Sequence, residues 1–177
     1  MNLEEKQIST QRVYDGALLK VNKDQIELPN KNTTIREYFN HPGASCVVAL
    51  TDDNKVVIER QFRYPFHSII TELPAGKLDK GEDPLVAAKR ELKEETGYTA
   101  KRWTYMGDFY PSVAYTDENI RLYLAQDLTL EEQHLDDDEF VEVELIDFQE
   151  LVNMVMQGKI KDGKSIAAIL KADKIIS

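Results

Sequence analysis

Short apolar runs alternate with turn-forming clusters along the first part of the chain. Arg12–Tyr14 and Ala17–Val21 flank Asp15-Gly16, the pattern of a β-hairpin. Asp24–Leu28 and Thr33–Phe39 flank Pro29-Asn30-Lys31-Asn32, a second turn signal. Residues 1–40 therefore predict a small antiparallel sheet. A new set of strands begins after His41-Pro42-Gly43, with Ala44–Leu50 and Lys55–Phe62 around Asp52-Asp53-Asn54. Trp103–Phe109, Ile120–Ala125 and Phe140–Ile146 complete it.

Between these strands the period becomes helical. Asp83 can cap a helix, Pro84 suits its first position and Gly97 stops it. Leu85, Ala88 and Leu92 share one arc, assigned to the core. Glu91, Glu94 and Glu95 share an adjoining arc about 100° wide, with Ala87 leaving room beside them. Near the C-terminus, Asp147 and Glu150 form a capping box ahead of a stripe of Phe148, Leu151, Val152, Val155 and Met156, which Gly158 ends. A last helix runs from about Ser165 to Ala172, with Ile166, Ile169 and Leu170 inward. The expected class is α/β (α+β): mixed sheets between helices over 41–177, preceded by the β extension of 1–40.

Composition narrows the partners. The 177 residues carry a formal net charge of −10, which repels nucleic acid and anionic membranes alike. A small anionic substrate remains compatible, because bound cations can reverse the local field. Cys46 is the one cysteine and lies in an apolar run, so a buried structural thiol is expected. The opening MNLEEKQIST has no apolar signal core, and no stretch has transmembrane length. A reduced, cytoplasmic protein is the expectation.

The helical arc carries the candidate chemistry. Carboxylates this close repel by roughly 0.2–0.5 kcal/mol per i,i+3 or i,i+4 pair, and Glu82 can add a fourth. Arg90, one turn before Glu94, can pair with it. A bound cation would relieve the repulsion, and hard oxygen ligands suit Mg²⁺ or Mn²⁺. The same spacing also describes a solvated helix face.

Gly76, Glu82, Arg90, Glu91, Glu94, Glu95 and Gly97 form the pattern G-x5-E-x7-R-E-Leu-x-E-E-x-G. Seven fixed positions match by chance on the order of once in a million chains of this size. The pattern resembles the Nudix box, the signature of hydrolases acting on nucleoside diphosphates linked to another moiety. Tyr98 departs from the small aliphatic residue usual at the last position. Arg60-Gln61-Phe62-Arg63-Tyr64-Pro65, followed by Glu72-Leu73-Pro74-Ala75-Gly76, resembles the approach to the box in the ADP-ribose pyrophosphatase branch. Without that context the arginines would read as a solvated basic edge.

The resemblance implies a Nudix-type α/β/α sandwich. It also implies Mg²⁺, with Mn²⁺ as substitute, held by Glu91, Glu94, Glu95 and the Ala75 carbonyl. Arg63 would contact the nucleotide end of the substrate, with Glu72 supporting the site. The extension would build a homodimer and deliver Arg36 to the partner's site, against a plain extra sheet with a solvated Arg36. In the acidic run 131–139 the implied general base is Glu139 or Asp137, with Glu94 on the helix as the alternative; composition alone would make the run a solvated loop, with His134 exposed. Ser112-Val113-Ala114 stands where related chains often carry Ser-Pro-Gly, in a loop bordering the terminal sugar, so this departure bears on substrate identity.

The implied reaction is Mg²⁺-dependent hydrolysis of the pyrophosphate of ADP-ribose, giving AMP and ribose 5-phosphate. Another nucleotide sugar such as GDP-mannose is the alternative substrate. A non-catalytic nucleotide-sugar sensor is the alternative class, disfavoured by the intact glutamates.

Overall fold

The computed structural model describes residues 2–135 and 139–176. Its first unit comprises the chain up to His41 together with Ser112–Glu118. The two turn signals produce an antiparallel sheet in the order β1 (Lys6–Asp15), β2 (Lys20–Glu27), β3 (Thr33–Phe39). β1 is longer than its apolar residues suggest. Every one of its residues is exposed, so pairing with β2 and not burial defines its start. Ser112–Glu118 joins this unit through Asp117, which accepts hydrogen bonds from the His41 amide and the Asn40 side chain, both at 2.8 Å.

The second unit holds β4 (Ala44–Ala49), β5 (Lys55–Arg63), β6 (Ser68–Glu72), β7 (Ala75–Lys77), α1 (Pro84–Thr96), β8 (Tyr98–Phe109), β9 (Ile120–Leu130), β10 (Val141–Asp147), α2 (Phe148–Met156) and α3 (Gly163–Ile176). Successive residues of a strand face opposite ways, and every residue of β4 is buried. Cys46 and Val48 pack in the cluster that includes α2 and α3, while Val47 and Ala49 pack with Ala88 and Leu92 of α1. β5 divides likewise, Val56 and Ile58 against Val57. β4 lies in a mixed sheet ordered β7-β4-β9-β8, parallel to β9 and antiparallel to β7. β10-β5-β6 form an antiparallel sheet. The result is the expected α/β/α layering with mixed strands.

One sequence expectation needs correction. Met156 is 73% exposed although it continues the buried stripe of Phe148, Leu151, Val152 and Val155. It is the last residue of α2, where the helix leaves the core. In α3 the fully covered face is made by Ser165, Ala168, Ile169 and Ala172, with Ile166 and Leu170 only partly buried. Small residues there let the helix approach the sheet closely. Cys46 is fully buried, and burial pushes its thiol up to about 12.

Asp83 caps α1 by accepting from the Leu85 and Val86 amides, and Gly97 closes it at φ 76°. A Cβ on Gly97 would lie 2.9 Å from the Glu131 carbonyl oxygen, whereas one on Gly81, at φ 81°, meets open space. Both Ala substitutions carry the left-handed backbone cost of about 1–2 kcal/mol. Denaturant titration should show Gly97→Ala losing clearly more stability than Gly81→Ala; equal losses would refute the steric contribution.

Candidate active site

The segment after β6 runs against α1. Cys46 of β4 faces Ala75 of β7, and the Ala75 amide donates to Glu95 Oε2 at 3.0 Å. Gly76 passes so close to α1 that a Cβ there would fall 2.0 Å from the Glu91 carboxylate. This approach brings the Ala75–Gly76 backbone beside Glu91 and Glu95, where a side chain on residue 76 would displace the Glu91 carboxylate.

Arg90 organises the outer carboxylates. It donates to both oxygens of Glu82 at 3.0 and 2.9 Å, to Glu91 at 2.8 Å and to Glu94 at 3.1 Å. Its hydrogen bonds to Glu82 hold that carboxyl down at about 2. Glu91 is raised above its ordinary range by burial, against the pull of Arg90.

A second group of charges lies on β5, β6 and α3. Glu59 and Glu72 stand directly opposite each other on β5 and β6, and both are buried. Arg63 grips Glu72 with Nε and Nη2 at 2.7 and 2.9 Å, and Lys164 reaches the same carboxylate at 2.5 Å. Burial works to raise Glu72, but these two cations bring it below its ordinary value. Glu59 has no cation of its own. It lies within electrostatic reach of Glu95 on α1. Burial first pushes both above the ordinary carboxylate range; the charge of Glu72 adds to this at Glu59, and those of Glu59 and Glu91 add to it at Glu95. Glu59 Oε1 is buried without a hydrogen-bond partner.

The predicted site residues thus fall into several places. Ala75, Glu91 and Glu95 come together; Glu94 is tied to Arg90; Arg63 and Glu72 form an adjoining pair. Glu139 is close enough for its charge to raise both Glu91 and Glu95. Asp137 lies outside the described residues. His134 is exposed, its amide donating to the Glu94 carbonyl oxygen at 3.0 Å. Arg36, in the first unit, pairs with Glu5 at 2.5 Å. Sequence reading missed Glu59 and Lys164. Apolar neighbours on both faces of β5 were a signal that Glu59 would be buried. Lys164, 92 residues from Glu72, left no local signal.

Among the described residues no three His, Cys, Asp or Glu side chains converge as around a metal ion. Arg90 draws Glu91 and Glu94 to itself, and Glu95 turns to the Ala75 amide. The chemistry nonetheless fits an oxygen-seeking divalent cation. All candidate donors are oxygens, Gly76 leaves room at Glu91, and Glu59 and Glu95 are buried acids without an ion pair among the described residues, Glu59 Oε1 lacking a hydrogen-bond partner.

A model of the NUDIX domain matches residues 40–169. The ADP-ribose pyrophosphatase of Bacillus subtilis (strain 168) is 42% identical over 170 residues, covering 95% of this chain and 92% of that protein. The methanol dehydrogenase activator of Bacillus methanolicus is 42% identical over 168 residues, covering 94% and 91%. A solved structure described as an ADP compounds hydrolase superposes with a TM-score of 0.88 at 20% identity, covering 99% of this chain and 96% of that one, a likeness of fold.

The raised pair has a consequence for stability. In the metal-free chain the folded state keeps a proton on Glu59–Glu95 that the unfolded state has released above the ordinary glutamate value of 4.5. Stability therefore falls as pH rises from there towards the folded pair's titration, by about 1.4 kcal/mol per pH unit for each retained proton. Thermal unfolding in EDTA should give a lower Tm at about pH 8 than at about pH 6, and Glu59→Gln should flatten the slope. An unchanged slope in Glu59→Gln would exclude this origin.

Proposed function

Because the chain belongs to the NUDIX family, we propose that it hydrolyses the pyrophosphate bond of ADP-ribose, giving AMP and ribose 5-phosphate. The observation that carries the chemistry is the approach of Ala75–Gly76 to Glu91 and Glu95, an all-oxygen cradle with surplus buried acid. The choice of substrate is supported by the 42% identity to an ADP-ribose pyrophosphatase over 95% of the chain. GDP-mannose is the alternative substrate, and a nucleotide-sugar sensor the alternative class.

Mg²⁺, or Mn²⁺ in its place, would be held by the Ala75 carbonyl, Glu91, Glu94 and Glu95. Bound there, a divalent ion supplies charge neutralisation at the pyrophosphate and a lowered pKa for water. Arg90 keeps its two bonds to Glu82 and so holds the loop before α1 while Glu91 and Glu94 turn to their ligand. Arg63, gripped by Glu72 through Nε and Nη2, leaves Nη1 for the nucleotide end. Glu139 takes the proton of the attacking water; its closeness to the charges of Glu91 and Glu95 supports that role. Asp137 and Glu94 are the alternatives. The single buried thiol, Cys46, suits a reducing cytoplasm.

We further read residues 1–40 as a dimerisation extension to the hydrolase domain of 41–177. Its support is β1, exposed along its full length with Ile8, Val13 and Tyr14 uncovered. A strand of this kind gains burial from a second copy, whose site Arg36 would reach on leaving Glu5.

With Mg²⁺ and a panel of nucleotide sugars, ADP-ribose should be turned over fastest. Glu91→Gln and Glu95→Gln should each lose at least ~100-fold in kcat, and near-normal turnover in either would sink the metal assignment. Glu139→Gln should lose roughly 100- to 10,000-fold while metal affinity is spared. If it stays active and Glu94→Gln is dead with its metal bound, the base lies on α1. Binding of a nucleotide sugar without turnover would favour the sensor.

Light scattering at assay concentration should give twice the mass of one chain. A fully active monomer would rule out the dimeric site.

A further inference from the structure

Lys164 is a cation with almost no access to solvent: its side chain is 13% exposed, against 43% for Arg63. It sits in the first turn of α3, largely covered. Its Nζ lies 2.5 Å from Glu72 and 2.9 Å from Asp162. Burial opposes the charge, and Asp162 and Glu72 overcome that opposition, so the ammonium stays above its ordinary range.

These contacts belong to an alternating chain of charge: Arg63, Glu72, Lys164, Asp162. Its two ends differ in firmness. Asp162 is fixed, because one of its oxygens accepts from the Ser165 amide at 3.0 Å and from the Ser165 hydroxyl at 2.5 Å. That hydroxyl in turn accepts from the Leu73 amide at 2.8 Å, next to Glu72 itself. Arg63, at the other end, is the last residue of β5 and leads into the exposed turn Tyr64–Phe66. Glu72 could not take its orientation from so free a partner, least of all while facing Glu59 across the strands.

We propose that Lys164 is a positioning residue: it anchors Glu72 to the first turn of α3, so that Glu72 holds Arg63 in the orientation that receives the substrate. The anchor runs in one direction, from α3 through Lys164 and Glu72 to the guanidinium. Lys164 and Glu72 Oε2 also leave the Arg63 guanidinium one open edge, Nη1, since its Nε and Nη2 are both committed. A purely structural role for Lys164 would instead be confined to docking α3.

This inference rests on Arg63 contacting the substrate. The test uses the full chain with Mg²⁺ and ADP-ribose, and the variants Lys164→Met, Arg63→Ala and the double variant. Lys164→Met should raise KM by roughly 10- to 100-fold, the usual reach of a residue acting behind a ligand-binding one, with kcat little changed. In the Arg63→Ala background it should raise KM no further. An unchanged KM in Lys164→Met, or effects that multiply in the double variant, would overturn the positioning role while leaving the substrate reading intact. If Arg63→Ala leaves KM unchanged while ADP-ribose is turned over, the Arg63 contact fails and this inference with it; if the wild type does not turn over ADP-ribose, the substrate reading itself fails. Should Lys164→Met not fold, Asp162→Asn serves in its place. It keeps the ammonium but loosens its anchor, so KM should rise by a smaller factor, again only where Arg63 is present; a wild-type KM there overturns the proposal.

Discussion

Three glutamates, at positions 59, 72 and 95, are buried beside one another around the start of β7, and the rest of the site is arranged around that constraint. Taking a carboxylate out of water costs several kcal/mol unless it is paired or protonated. The chain meets the cost in two different ways. Glu72 receives two cations and stays charged. Glu59 and Glu95 make no ion pair among the described residues, and burial raises both above the ordinary carboxylate range. One side of the site is neutralised by the protein, and the other is left acidic.

The platform that makes such burial possible is β4. Helices cover both of its faces, so the elements beside it have little access to water. Pro74 accepts from the Val47 amide at 2.9 Å, and the Ala75 amide turns to Glu95. Leu73 is held by Ser165. The residues from Glu72 to Ala75 are thereby held in turn by α3, β4 and α1. Gly76 then has no freedom to move away from α1, which is why its missing side chain matters.

Most of this was legible in the sequence where the signal is local. The cap at Asp83, the stop at Gly97 and the glutamate arc between them follow from helical period and from residues that cannot continue a helix. β4 was readable because a short unbroken apolar run bounded by turn residues suits a strand covered on both faces. The strand ends were harder. β8 and β9 continue past their apolar centres through Tyr98–Ala100 and Leu128–Leu130, where ladder hydrogen bonds extend the pairing. The charge network was not readable at all: Lys164, Asp162 and Ser165 meet Glu72 and Leu73 only after α3 docks, and nothing within a few residues of Lys164 distinguishes it from a surface lysine. Glu59 is intermediate, since its strand announced burial but not its neighbour.

The split between a neutralised and an acidic side also bears on how stability and activity divide. A protein selected for stability alone would replace Glu59 or Glu95 with an apolar or amide side chain, since an uncompensated buried acid weakens the empty fold. Glu72 offers no such gain, because removing it would take the carboxylate from Arg63 and leave Lys164 with Asp162 alone. The two groups should therefore respond oppositely to neutral substitution. At Glu59 and Glu95 the empty chain gains stability. At Glu72 the chain loses stability. Proximity alone would treat the three glutamates as one cluster; their partners separate Glu72, held charged by two cations, from Glu59 and Glu95, which burial raises.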